Sequence, residues 1–174
     1  MTQPLSAHLK AFILPALMLI VLPTSIHAVE VRWGGRPWLT HSVAGWVAGA
    51  LIGLAGLALL VVSIRLIIVY ANTTVMPWTP SEKLVIRGPY RIVRNPMISG
   101  VVGVMLAEGL LLGSPGILLL ALVFFLGNTV YIIFSEEPKL EEHFGEDYRR
   151  YKVNVRRWLP RLRPWEGGES SDES

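Results

Sequence analysis

Four long apolar runs, at 8–26, 43–70, 97–112 and 117–134, are separated by shorter segments, with arginine dense between the second and third and after the fourth. Each run is a candidate membrane helix. At a rise of about 1.5 Å per residue the second is roughly 42 Å long and overshoots a hydrocarbon core of about 30 Å, so it tilts or projects into water. The third and fourth come to roughly 24 to 27 Å. Between them Gly113-Ser114-Pro115-Gly116 carries both helix breakers and no charge, which predicts a tight helical hairpin. Pro15 and Pro23 predict a kink in the first run. That run also has the outline of a signal peptide, with Lys10 ahead of it and Ala28 behind. Its prolines and the poor cleavage site at Ile26-His27 favour a retained helix.

Beyond the fourth run the period changes. Leu140, Phe144, Tyr148, Tyr151 and Val155 recur at three- and four-residue intervals, which predicts an amphipathic helix over about 136–155 lying on the membrane interface. Its acids, Glu141, Glu142, Glu146 and Asp147, precede its bases, Arg149, Arg150 and Lys152, the order that a helix dipole favours. Gly145 is expected to weaken this helix by about 1 kcal/mol relative to Ala. Residues 166–174 are Gly, Ser and acid, and are expected to be disordered. The expected architecture is an all-α membrane protein: a kinked first helix, a long second, a hairpin of the third and fourth, and a C-terminal interfacial helix. All of it forms a single domain over 1–165.

Composition agrees, with 52% hydrophobic and 17% charged residues and a mean hydropathy of +0.47, too apolar for a typical water-soluble domain. A net charge of +3 and a pI near 9.4 raise the question of nucleic acid. The cations flank apolar runs, however, and are not interleaved with aromatics along a soluble face, so a membrane surface is the expected partner and nucleic acid is not. No cysteine is present, which removes thiolate nucleophiles, disulfides and Cys-based metal sites. Arginine and lysine concentrate between the second and third runs and after the fourth. Both segments are therefore expected on the cytoplasmic side, with both termini, in a multi-pass protein of a bacterial inner membrane or its equivalent.

Reflecting the hairpin about its turn places Glu136 and Glu137 at the depth of Val93 and Arg94. Arg91, Arg94 and Asn95 would then share one cytoplasmic mouth with the two glutamates, roofed by Tyr148 and Tyr151. Plainer roles exist for each piece. Asn95-Pro96 is a helix start, with Asn as cap and Pro at the first helical position. The arginines serve equally as topology determinants that meet anionic headgroups. His8, His27, His41 and His143 are scattered without metal-ligand spacing, so no metal site is expected. Within the runs, Arg65 can snorkel, Glu108 is either interfacial or functional, and Asn128 can bond between helices.

The stretch LVIRGPYRIVRNPM at 84–97, followed about forty residues on by SEEPKLEEHFGEDYRRYKVNVRRWLP at 135–160, resembles the integral-membrane isoprenylcysteine carboxyl and phospholipid methyltransferases. The shared pattern is matched by Gly88, Tyr90, Arg94, Asn95, Pro96, Glu136, Glu137, Leu140, Phe144, Gly145, Tyr148 and Tyr151. Ile98 stands where the family usually has Tyr, which removes one aromatic contact. The resemblance covers about 73–160. It implies S-adenosylmethionine as cofactor and a lipid or lipidated acceptor that enters from the bilayer.

On that basis Arg94 and Glu137 are the expected catalytic residues. Gly88, Tyr90, Arg94, Asn95, Pro96, Glu136, Glu137, Tyr148 and Tyr151 are the expected cofactor contacts. Arg94 would pair with the cofactor's carboxylate, the glutamates with its ammonium or ribose, and the tyrosines with adenine or sulfonium. A small four-span transporter or a non-catalytic membrane scaffold is the competing reading. A transporter would be expected to show internal repeats and an ionisable residue at mid-membrane, and neither is evident.

Overall fold

The computed structural model describes residues 17–34, 43–70 and 84–167. The described residues are helical with no strand. A π-helical turn, Leu17–Val21, leads into α1, Leu22–Arg32, and α2 follows at Val43–Tyr70. A 3-10 turn, Gly88–Arg91, precedes α3, Pro96–Leu112, and α4, Pro115–Tyr131. A second π-helical turn, Ile132–Glu136, runs without interruption into α5, Glu137–Asn154. Among the described residues two helices are long and apolar enough to cross a membrane, α2 and the continuous stretch from Pro115 to Asn154; α3 is apolar but shorter. The first part of the expected first span, with Pro15, and the expected disordered tail past residue 167 lie outside the described residues. The chain divides into two compact units, Met1–Ala58 with Gly100–Leu126, and Leu59–Ser99 with Gly127–Ser174.

In the first unit α1 continues beyond the apolar run that ends at Ile26, as far as Arg32. The stop is Gly34, at φ 77°, a left-handed conformation that glycine adopts without steric cost, with the Trp33 and Gly34 amides donating back to Val29 and Val31 at 3.1 and 3.3 Å. The extra turn carries Glu30 to the start of α4. There the Gly116 amide donates to Glu30 Oε1 at 2.8 Å and the Ser114 hydroxyl donates to Oε2 at 2.5 Å. Ser114 Oγ in turn accepts from the Ile117 amide at 3.1 Å, so a carboxylate and a hydroxyl satisfy the open N–H groups of α4 and complement its dipole. The predicted Gly113–Gly116 turn is present, with Gly113 at φ 62°.

Helices α2 and α3 meet backbone to backbone in this unit. A Cβ on Gly56 would lie 2.9 Å from the Gly100 carbonyl oxygen and from the Val104 nitrogen, and one on Gly53 would lie 3.0 Å from the Ala107 side chain. Such close approach by small residues replaces bulky apolar packing where lipid would compete for the same surfaces. Met105, Ala107, Ile117 and Ala121 are buried, while Leu51, Leu54, Leu119 and Leu122 are left exposed. Apolar side chains spread outward around a thin core is the pattern expected of a helix bundle in an apolar surrounding. Glu108 is partly buried, with Oε2 lacking a hydrogen-bond partner.

The second unit holds the polar chemistry. Arg87 lies over the Tyr70 ring, 4.4 Å from its centroid. Gly88, at φ 54°, brings the 3-10 turn against Leu66. Asn95 occupies the cap position of α3: its carbonyl accepts from the Ser99 amide at 3.1 Å, and Pro96 is the first helical residue. The amphipathic helix expected at 136–155 is present as α5, with two corrections. It continues α4 through the π-helical turn, and it is broken at Gly145 (φ 54°, ψ −124°). The predicted stripe still converges. Tyr148, Tyr151 and Val155 are buried against Leu84, Ile86, Leu140, Phe144 and Trp165.

Candidate functional site

The π-helical turn and the two arms of α5 place the carboxylates. Glu137 Oε1 lies 3.1 Å from Arg94 Nη1, and both side chains are almost wholly buried. The Arg94 guanidinium also donates to the Tyr148 hydroxyl at 3.5 Å. The two clusters that the hairpin arithmetic brought to one depth are therefore in direct contact. Glu137 is more heavily engaged than that arithmetic implied. Arg157 clasps it with two hydrogen bonds, Nε to Oε1 at 2.7 Å and Nη2 to Oε2 at 3.1 Å, and Lys152 Nζ stands 3.6 Å from Oε2.

Arg157 and Lys152 were not among the expected site residues. Along a straight helix Glu137 and Lys152 would be about 22 Å apart, and Glu141 and Lys152 about 16 Å. Yet Lys152 Nζ is 3.3 Å from Glu141 Oε2, and Arg149 Nε donates to Glu141 Oε1 at 3.0 Å. The break at Gly145 turns the second arm of α5 back on the first and gathers these cations around two acids. The signal for it was Gly145 itself, but a glycine in a helical pattern does not announce the sign of its φ.

The neighbouring carboxylates are differentiated by their surroundings. Burial pushes the Glu137 carboxyl up, but the Arg157 hydrogen bonds, with Arg94, Arg157 and Lys152 as nearby cations, outweigh burial and hold it below the usual carboxylate range. Glu136 is raised, first by burial and then by the negative Glu137. No cation among the described residues pairs with it. The Tyr148 hydroxyl is pushed up to about 12, chiefly by burial and then by Glu137, so it stays neutral. Tyr90 and Tyr151 are raised by burial as well.

Of the remaining expected residues, Tyr90 is tied in through its carbonyl, which accepts from the Tyr151 hydroxyl at 2.7 Å. Tyr151 is covered on one side by Trp165, stacked at 5.9 Å and 26°. Gly88, Asn95 and Pro96 shape the backbone that carries Tyr90 and Arg94. Arg91 turns elsewhere, its Nε donating to the Trp165 carbonyl at 2.6 Å. An open hollow of about 330 Å³ adjoins Glu137, lined by Ile133, Pro138, Glu141, Glu142, Arg149 and Lys152. Among the described residues no cluster of His, Asp or Glu could hold a metal ion.

The family model described as Phospholipid methyltransferase matches residues 43–147, more than half of the 174-residue chain. The chain belongs to the phospholipid methyltransferase family. Arg94, Glu136 and Glu137 fall inside the matched residues of this family member, whereas α1 with Glu30 precedes them and Tyr148, Tyr151, Lys152 and Arg157 follow them. Methanethiol S-methyltransferase of Pseudomonas deceptionensis is 42% identical over 77 residues, which are 42% of this chain and 27% of that protein. An uncharacterized protein of Haemophilus influenzae is 45% identical over 56 residues, 32% of this chain and 89% of its own length. The match thus spans about a quarter of the named methyltransferase. No solved structure matches the chain.

Proposed function

We propose that the chain is a membrane-embedded, S-adenosylmethionine-dependent methyltransferase. Residues 1–165 form one domain with spans near 8–26, 43–70, 97–112 and 117–134, and with the site and both termini on the cytoplasmic side. The acceptor is a lipid, a lipidated molecule or another apolar molecule that enters from the bilayer. The sulfur acceptor in the name of the Pseudomonas relative supports including thiols in that class.

One observation carries the cofactor assignment. Arg94 Nε is buried with no hydrogen-bond partner, although the same guanidinium binds Glu137 and Tyr148 through Nη1. A buried N–H left open costs free energy that a ligand carboxylate would recover. Glu136, one residue before Glu137, is a carboxylate with no cation paired to it among the described residues, suited to an ammonium or a ribose hydroxyl. The residues present therefore fit a zwitterionic nucleoside cofactor, with Arg94 on its carboxylate, Glu136 on its donors and Tyr90, Tyr148 or Tyr151 against its ring or sulfonium.

When bound, the cofactor supplies an electrophilic methyl that a nucleophile takes in a single in-line displacement. What the chain supplies is alignment and dryness. Glu137, expected as a catalytic or cofactor-binding residue, has its oxygens committed to Arg94, Arg157 and Lys152, so its proposed role is to hold the Arg94 guanidinium in place. Tyr148 braces the same guanidinium by accepting its hydrogen bond through a neutral hydroxyl.

Calorimetry of the folded protein in lipid or detergent should show S-adenosylmethionine binding that Arg94→Ala weakens by about tenfold or more, the loss of one charge-assisted hydrogen bond. Labelled-methyl transfer into a total membrane lipid extract and into methanethiol identifies the acceptor class. A folded wild-type protein that binds no cofactor overturns the reading.

A further inference from the structure

The chain after α5 does not trail away. The Arg94 amide donates to the Arg156 carbonyl at 3.0 Å, the Arg161 amide to the Ile92 carbonyl at 3.0 Å, and the Trp165 amide to the Arg91 carbonyl at 2.9 Å. With the Trp165 ring stacked on Tyr151, these bonds fasten residues 156–165 as a strap along the segment that carries Arg91 and Arg94. Between the fixed points two leucines stand in the open, Leu159 at 63% exposure and Leu162 at 104%. A loose loop could fold such side chains inward. A strap pinned on either side of them cannot, and the Arg161 side chain between them is turned back onto the Asn154 carbonyl.

The charge around these leucines is of one sign. From 148 to 165 the sequence contains no Asp or Glu. Arg149, Lys152 and Arg157 are taken up by Glu137, Glu141 and Glu146. Arg150, Arg156 and Arg163 are exposed, and no acid among the described residues pairs with them. Two leucines held out from a backbone that cannot withdraw them, flanked by open guanidiniums, combine the two terms that bind a protein surface to an anionic bilayer: apolar side chains for the headgroup–acyl boundary and cations for the phosphates.

We propose that the strap is a membrane-contact surface that inserts Leu159 and Leu162 into an anionic leaflet, with Arg150, Arg156 and Arg163 on its phosphates. The proposal rests on the membrane embedding put forward above and is independent of methyl transfer. An acidic protein or a nucleic acid would match the guanidiniums but would leave both leucines in water.

The chain has no native cysteine, so a single nitroxide can be placed at will. Leu162→Cys and, separately, Leu159→Cys are spin-labelled in the full chain and reconstituted into discs of phosphatidylcholine alone or with phosphatidylglycerol. Collision with oxygen is compared with collision with a water-soluble nickel chelate. Both labels should read as lipid-immersed in the anionic discs and shift toward water in the neutral ones. Arg156→Gln with Arg163→Gln, or high salt, should reproduce the neutral result. Aqueous labels in both disc types overturn the proposal, and so does equal immersion in both, which removes the arginines' part. A label at Leu122→Cys, on the apolar face of α4, reports separately whether the helices lie in lipid, so a failure of the strap and a failure of the embedding are told apart.

Discussion

Gly145→Ala is the substitution for which sequence and structure give opposite signs. In the interior of a straight, exposed helix, alanine would be more stable than glycine by about 1 kcal/mol. Gly145 instead sits at φ 54°, ψ −124°, where an L side chain is strained. A Cβ there would meet nothing within 4 Å, so no steric clash enters and the whole effect is backbone conformation. Holding a non-glycine residue in such a region costs about 1–3 kcal/mol.

The variant escapes that cost only by straightening, and a straight α5 would draw Lys152 away from Glu137 and Glu141, which it now meets at 3.6 and 3.3 Å. Either route destabilises. Unfolding in detergent followed by tryptophan fluorescence should show Gly145→Ala less stable than wild type by about 1–3 kcal/mol. Gly127→Ala, in α4 with equally open space, should be neutral or stabilising by up to about 1 kcal/mol. If Gly145→Ala tracks Gly127→Ala, α5 is straight and the clustering of cations around Glu137 is wrong.

The ion pairs make a second, chemically distinct prediction. Glu137→Gln leaves Arg94 buried without its anion and should cost about 3–5 kcal/mol of stability in the same assay, and a loss under 1 kcal/mol would contradict the buried contact. Because the folded protein holds the Glu137 carboxyl below its ordinary value of 4.5, its contribution is fully present above that value and is lost as pH falls through the lower, folded one. Wild type should therefore lose stability in acid over a range in which Glu137→Gln changes less. In the first unit, Gly56→Ala would bring a methyl to 2.9 Å from backbone atoms of α3 and should destabilise by about 1–3 kcal/mol, as read by the thermal midpoint in detergent; no change would mean that the two backbones are not in contact.

Readability from sequence followed the range of the interaction. The bounds of α2, the breakers at Gly113 and Pro115, and the Asn95-Pro96 start of α3 are set by residues within a few positions of one another, and the structure has them as read. The meeting of Arg94 with Glu137 was legible for a subtler reason: two helices of known rise joined by a short turn fix the depth of what flanks them. What stayed hidden depends on a torsion or on a distant partner. Nothing local in the sequence singles out Glu30, and only the turn at Ser114 and Gly116 gives it a purpose.

The stripe of Leu140, Phe144, Tyr148, Tyr151 and Val155 named residues that pack together while implying the wrong backbone. A three-four period is kept on either side of Gly145, and the five side chains reach one cluster although the helix breaks between them. Periodicity reports which residues share a face of each arm. It is silent on the angle between the arms, and that angle decides which cations surround Glu137. The same blindness made the arginines past 155 look like topology determinants alone, since nothing local marks Arg157 as the clasp on a carboxylate twenty residues earlier. The candidate site is thus divided in origin: Arg94 and the glutamates are placed by helix lengths, whereas Lys152 and Arg157 are placed by a single glycine torsion.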